Sequence, residues 1–285
     1  MSAPNLSDAE FDDLRAYLQR ETGIAIAADK SYLIETRLAD LVTSEGLESY
    51  GSLLAHLSGP EASLWRERLV DAMTTNETLW FRDDGPWRVL EDVFLPIFVE
   101  RLRDGASGKI RIWCAGCSTG QEPYSVAMTV AGWLARQDDP VDATCFEILG
   151  SDISPSAIFS AVAGRYDAFA AKRGLSEDAR ERYFSTRGNA LEVRPEIRQM
   201  VAFERRNLAD DFSALGTMDL VFCRNVLIYF ANELRRDVIA RLETTIRPGG
   251  GLLLGGAESL HGVSEAFSVE SLEGSVYYLR EGGAA

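Results

Sequence analysis

The chain has 285 residues, 46% of them apolar, and 44 acidic against 29 basic side chains give a formal charge of −15. That charge excludes general affinity for nucleic acid, which needs clustered Lys and Arg, and no apolar run approaches the ~20 residues of a membrane span. Four cysteines in a chain this long form no disulfide framework, and no basic segment leads into a short apolar stretch as in a signal peptide; the expected setting is the cytoplasm, without membrane insertion.

Residues 1–75 read as a small helical domain. Ser7 and Glu10 have the spacing of a capping box, and Phe11, Leu14 and Leu18 follow at helical intervals. Further helices are predicted over 32–43, 50–57 and 61–73, with Gly59 and Pro60 as punctuation before the last. Residues 76–86 join this unit to a larger domain over 87–285. There the pattern predicts a helix over 87–102 interrupted near Pro96, then strands over 109–115, 145–150, 201–204, 218–223 and 251–254. Helices over 122–135, 155–163 and 232–246 alternate with them, and 276–279 suits a closing edge strand. Such alternation implies an α/β fold, with a mostly parallel sheet covered by helices on both faces. Residues 165–200 break the rhythm. Two short strands flank Gly188-Asn189, a tight-turn dipeptide, so a small helix-plus-hairpin insertion is expected. Residues 164–206 carry ten basic and seven acidic side chains, which leaves −18 for the rest of the chain; this asymmetry suits an acidic partner or a solvated mixed face.

Ligands of doubly wound sheets sit beyond the carboxyl ends of the strands. Gly116 lies in a loop there that opens a helix but lacks the glycine spacing of a pyrophosphate-binding turn. Asp152 ends the next strand, where an acid can accept hydrogen bonds from both hydroxyls of a ribose or can cap a helix. Asn207 and Leu208 follow the third strand and can hold an adenine edge. A buried strand then runs into Arg224 and Asn225, with Tyr229 beyond. The connecting segment 76–82 is rich in polar and aromatic residues where a plain linker favours Gly, Ser and Pro, and Arg82 can grip a carboxylate through a bidentate fork.

The segments NETLWFR (76–82), AGCSTGQEPYS (115–125), GSDIS (150–154), FERRNL (203–208), FCRNVLIYF (222–230) and GAES (256–259) together resemble the CheR family of chemotaxis receptor methyltransferases. The resemblance covers nearly the whole chain. It implies a Rossmann-like S-adenosylmethionine-dependent methyltransferase domain with a small inserted antiparallel β-subdomain, preceded by a small all-α domain. It implies that Asn76, Thr78, Arg82, Gly116, Glu122, Asp152, Asn207, Leu208, Cys223, Arg224 and Asn225 surround S-adenosylmethionine or its product S-adenosylhomocysteine, with Asp152 on the ribose hydroxyls. Arg82 and Tyr229 would border the reacting methyl group and the incoming glutamate of a methyl-accepting receptor. Gln121-Glu122 stands where an acidic pair is common in the family, and Glu122 is expected to be the functional member. A monomer acting on the cytoplasmic helical region of chemoreceptors is expected. Family members dock through the all-α domain, helped by basic residues on its second helix; here only Lys30 and Arg37 are evident there. The short turn at Gly188-Asn189 lacks the insertion of members that grip a receptor's tail pentapeptide, so tail binding is not expected.

Three other readings compete. One is a methyltransferase of a small carboxylic acid, against which the helical N-terminal domain argues for a protein substrate. Cys114 and Cys117 have the C-x-x-C spacing of a redox centre, which leaves Asp152 and the 225–229 segment unexplained. A non-catalytic sensor of S-adenosylmethionine or its product is the most serious rival, and Arg82 and Tyr229 speak against it.

Overall fold

The computed structural model describes residues 4–105 and 108–282. Four helices, α1 (Asp8–Thr22), α2 (Ser31–Ser44), α3 (Tyr50–Leu57) and α4 (Ala62–Met73), build the N-terminal unit. The capping box forms: the Ser7 hydroxyl accepts the Glu10 N–H, and the Glu10 carboxylate accepts the Ser7 N–H at 3.0 Å. The apolar positions at helical spacing then share one face, so Phe11, Leu14 and Leu18 meet Ile34, Leu38, Leu53, Trp65 and Leu69 in a separate core.

Next come α5 (Asp84–Val89) and α6 (Leu95–Arg103), joined by a π-helical turn over Leu90–Phe94. The sequence predicts an interruption at Pro96. The helix instead continues, because Pro96 falls in the first turn of α6, where its missing N–H is tolerated. The irregularity moves upstream into the π turn, in which Leu95 N–H reaches back to the Leu90 carbonyl.

The remaining elements are β1 (Ile110–Ala115), α7 (Gln121–Leu134), β2 (Phe146–Asp152), α8 (Pro155–Ala163), β3 (Arg165–Asp167), α9 (Ala168–Lys172), α10 (Glu177–Tyr183), β4 (Phe184–Arg187), β5 (Ala190–Val193), α11 (Pro195–Arg198), β6 (Val201–Arg205), β7 (Met218–Cys223), α12 (Asn232–Thr245), β8 (Ile246–Leu254), β9 (Phe267–Leu272) and β10 (Ser275–Arg280). The main sheet has the order β6-β2-β1-β7-β8-β10-β9. Its first five strands are parallel, and β10 runs antiparallel to both β8 and β9. Side chains of β1 alternate between two cores. Ile110, Ile112 and Cys114 pack with residues of α6 and α7, and Trp113 and Ala115 pack with Val238, Ile239 and Leu242 of α12.

The predicted closing strand at 276–279 is β10, but it lies inside the sheet. The edge strand is β9, whose mixed sequence of Ser, Glu and Val carries little strand signal. The insertion is a three-stranded antiparallel sheet, β3-β5-β4, one strand more than the predicted hairpin. Gly188 alone in the two-residue turn has positive φ, at 61°, as the first position of a type II′ turn requires. Among the described residues no helix is long and apolar enough to cross a membrane.

Candidate active site

The chain winds from β1 outward through β2 to β6, then returns to β7 on the other side of β1. The crevice between β1 and β7 is therefore the topological switch point, where a ligand meets loops diverging in opposite directions. The loop after β1 is pinned across to β2, with the Gly116 and Cys117 N–H groups donating to the Ser151 carbonyl at 2.8 and 2.9 Å. Gly116 has φ 74°, and a Cβ there would stand 3.0 Å from the Val226 side chain. Glycine thus lets the β1 and β7 loops close on each other.

Asp152, at the end of β2, is only 9% exposed. Its two carboxylate oxygens accept the N–H groups of Ser118 and Ser154 at 2.8 and 2.9 Å. The cap of α8 is Ser154, whose hydroxyl accepts the Ala157 N–H, so Asp152 braces the cap residue and does not itself cap the helix. Each oxygen keeps a further lone pair for a ligand. Burial pushes the Asp152 pKa up, against the opposing pull of those backbone N–H groups.

A buried ion pair crosses the crevice. The Arg224 side chain, 1% exposed, donates to Glu122 Oε2 at 2.8 Å, to the Arg82 carbonyl at 2.7 Å and to Asp83 Oδ2 at 2.7 Å. Burial raises the Glu122 pKa, and the Arg224 charge partly offsets the rise. The two terminal nitrogens of the Arg224 guanidinium are therefore committed to protein groups and brace Arg82 and Glu122, and its Nε is buried without a partner among the described residues. Arg82 itself makes no ion pair among the described residues and keeps its fork for a ligand. Glu258, from the GAES segment, accepts the N–H groups of Asn225, Gly255 and Ile228 at 2.7, 2.8 and 3.3 Å. It holds the β7 loop from outside.

These loops close on a cleft of about 300 Å³ lined by Asn76, Thr78, Arg82, Gly116, Glu122, Asp152, Asn207, Leu208, Arg224, Asn225 and Tyr229, at the small end of the range for small-molecule sites. Of the residues predicted around the cofactor, Cys223 is the exception. Its thiol is fully buried among Trp113, Leu227 and Leu254 and does not line the cleft, because the last residue of β7 points into the α12 core. The Asn207 amide is engaged at both ends, donating to the Glu21 carbonyl and accepting the Ala209 N–H, each at 3.0 Å. It fastens α1 to the β6 loop, so Leu208 offers the apolar surface there. Cys114 and Cys117 are buried free thiols whose pKa values burial pushes well up, the setting of packed thiols and not of a reactive thiolate.

Sequence reasoning missed the contribution of the N-terminal unit. Thr22, Ile24 and Thr74 line the cleft, Ile24 pairs with Phe230 in an isolated bridge, and Ala25 N–H donates to the Tyr229 carbonyl at 2.9 Å. No local motif announces contacts made across 200 residues. Arg37, expected to help a partner dock, is turned inward and donates to the Met73 and Thr74 carbonyls and to Thr75 Oγ1 at 2.7, 2.9 and 2.6 Å. It ties α2 to the linker instead. Arg173 and Arg206 also line the cleft.

The donor set fits a cationic nucleoside amino acid: a buried carboxylate at Glu122 for an ammonium, Asp152 for a ribose diol and Leu208 for a base. Comparison with known proteins agrees. Residues 76–276 match the family model described as CheR methyltransferase, SAM binding domain, and residues 9–74 match the CheR methyltransferase, all-alpha domain. Chemotaxis protein methyltransferase 1 of Pseudomonas aeruginosa is 40% identical over 279 residues, covering 98% of this chain and 99% of that protein. The chemotaxis protein methyltransferase of Vibrio parahaemolyticus is 39% identical over 282 residues, covering 98% of this chain and all of its own.

Proposed function

The chain belongs to the CheR methyltransferase family and uses S-adenosylmethionine, and from that premise we propose that it esterifies glutamate side chains on the cytoplasmic helices of chemoreceptors. The observation that carries the proposal is the uncommitted Arg82 fork, lining the same cleft as Tyr229 and two buried carboxylates. When bound, S-adenosylmethionine supplies an electrophilic methyl group on a cationic sulfur. A glutamate is already ionised at pH 7, so no residue need act as a general base. Arg82 holds the acceptor carboxylate, Tyr229 donates one orienting hydrogen bond, and Glu122 and Asp152 fix the donor's ammonium and ribose. The chain's contribution is alignment and exclusion of water.

The N-terminal helices over 1–75 present the protein substrate, and the enzyme works as a cytoplasmic monomer. The two-residue turn between β4 and β5 supports action without a receptor tail peptide. The test is transfer from methyl-labelled S-adenosylmethionine to cytoplasmic fragments of the host's receptors. Label released as methanol by mild alkali is the expected result and identifies a carboxyl ester. No incorporation into any receptor, with tight binding of S-adenosylhomocysteine, would overturn the proposal in favour of a sensor.

A further inference from the structure

The proposed reaction poses an electrostatic problem. Both partners are acidic: residues 1–75 hold thirteen acidic against six basic side chains, and Arg37 is spent on the linker backbone. Helix α9 offers a different surface. Phe169 is 71% exposed, an unusual state for a large aromatic side chain, and the Arg173 guanidinium stacks over its ring at 5.6 Å. Lys172 beside it is exposed and makes no ion pair among the described residues. Arg173 itself lines the cleft and bonds Glu77 at 2.6 Å. An apolar and cationic ridge therefore runs from the surface of the inserted subdomain to the cleft mouth.

That ridge is mechanically joined to the site. The Trp80 indole N–H donates to the Ala170 carbonyl and its backbone N–H to the Arg173 carbonyl, both at 3.1 Å. The indole is buried edge-on against Tyr166 and Phe184 of the subdomain. Gly174, at φ 102°, lies so close that a Cβ would stand 2.0 Å from the Trp80 carbonyl oxygen. Asn76, Thr78 and Arg82 stand on either side of Trp80 in the same linker, so α9 and the cleft residues move as one piece.

We propose that the α9 ridge, with Phe169 and Lys172 as its exposed contacts, is a second docking surface, acting beside the N-terminal helices, for the acidic amphipathic helix that carries the acceptor carboxylate. The apolar stripe of such a helix packs on Phe169 and its acidic flank meets Lys172, which directs one carboxylate past Arg173 towards Arg82. Charge complementarity argues for this occupant, since Lys172 is exposed and makes no ion pair among the described residues, and the 164–206 segment that includes α9 carries ten basic against seven acidic side chains in a chain of −15. The proposal rests on the glutamate reading given above.

The test measures binding of a receptor cytoplasmic helical fragment by calorimetry, which does not depend on methyl transfer. Phe169→Ser and Lys172→Glu are each expected to weaken fragment binding about ten-fold, as loss of an anchoring contact does, while S-adenosylhomocysteine affinity stays unchanged. Wild-type binding is expected to weaken as salt screens the exposed charges. Unchanged fragment affinity in both variants, or no binding by the wild-type protein, overturns the proposal. So does a parallel loss of S-adenosylhomocysteine affinity, which would make α9 a structural support only. Wild-type binding that the variants lose, without ester formation, would uphold the docking surface and sink the glutamate reading.

Discussion

Removing the cation of the Glu122–Arg224 pair is the most informative perturbation. In Arg224→Met the side-chain volume is largely kept, but Glu122, 13% exposed in its side chain, loses its hydrogen-bonded cation and keeps only the unbonded charge of Arg82 nearby. Asp83, at 58% exposed, simply rehydrates, so the cost falls on Glu122 and on the orphaned Arg82 carbonyl. Breaking a buried pair from one side costs about 3–5 kcal/mol, and at about 2–4 °C per kcal/mol the thermal midpoint should drop by roughly 6–20 °C. The loss should depend on pH with a defined sign. Burial already holds the Glu122 pKa above its ordinary 4.5, and without Arg224 it rises further. A carboxyl whose folded pKa is raised contributes stability that is full below the unfolded value and is lost as pH rises through the folded value. Thermal melts should therefore show a small defect near the ordinary carboxylate pKa and a growing one towards neutral and alkaline pH. Adding Glu122→Gln to Arg224→Met removes the buried charge and should restore most of the midpoint. A pH-independent defect, or a double variant no more stable than Arg224→Met, would refute the account.

Other substitutions test separate parts. Gly174→Ala forces a side chain into left-handed backbone and against the Trp80 carbonyl; it should cost at least about 1–3 kcal/mol in denaturant unfolding and raise the KM for S-adenosylmethionine by shifting the linker. Asp152→Asn should weaken S-adenosylhomocysteine binding in calorimetry. In the wild type the affinity should fall as pH drops through the raised Asp152 pKa, because only the ionised carboxylate can accept from both ribose hydroxyls; a wild-type affinity flat from neutral to acid pH counts against that role. Arg82→Ala should lower the transfer rate by about 100-fold, the usual scale for lost alignment, and Tyr229→Phe should lower it by less, with cofactor affinity changed less than rate in both. Full transfer rates in both variants would remove them from the reaction.

Much of this was legible in the residues. The 3.6-residue period of Phe11, Leu14 and Leu18 and the alternation of apolar strands with amphipathic helices survive burial, because each element's face is set by its own sequence. The carboxyl ends of β1, β2 and β7 therefore marked Gly116, Asp152 and Arg224 in advance. What was not legible depends on contacts distant in the chain. The position of β10 inside the sheet is decided by pairing with β8 and β9, and its own apolar run serves an edge or an inner strand equally well. Cys223 and Arg224 are neighbours, yet one faces the α12 core and the other the crevice, a one-residue distinction set by strand register. The inward turn of Arg37 is settled by where the linker passes, which no property of α2 encodes.

The backbone shows why so many side chains outside the reaction are needed. Of the five non-glycine residues with positive φ among the described residues, Ser118 and Asn225 line the cleft and Phe81 and Asp83 flank its Arg82, at 50°, 59°, 46° and 58°, each costing of order 1–3 kcal/mol. Every one is held by a side chain of another element. Phe81 N–H donates to Ser125 Oγ at 3.1 Å, Asp83 accepts from Arg224, Ser118 N–H donates to Asp152, and Asn225 N–H donates to Glu258. Three of the four brackets are charged groups, whose hydrogen bonds are roughly twice as strong as neutral ones. Ser125 and Glu258 therefore belong to the site as much as the residues that line it. Asp152 and Arg224 fix loop geometry with part of their hydrogen-bonding capacity, and only Asp152 retains acceptors for a ligand.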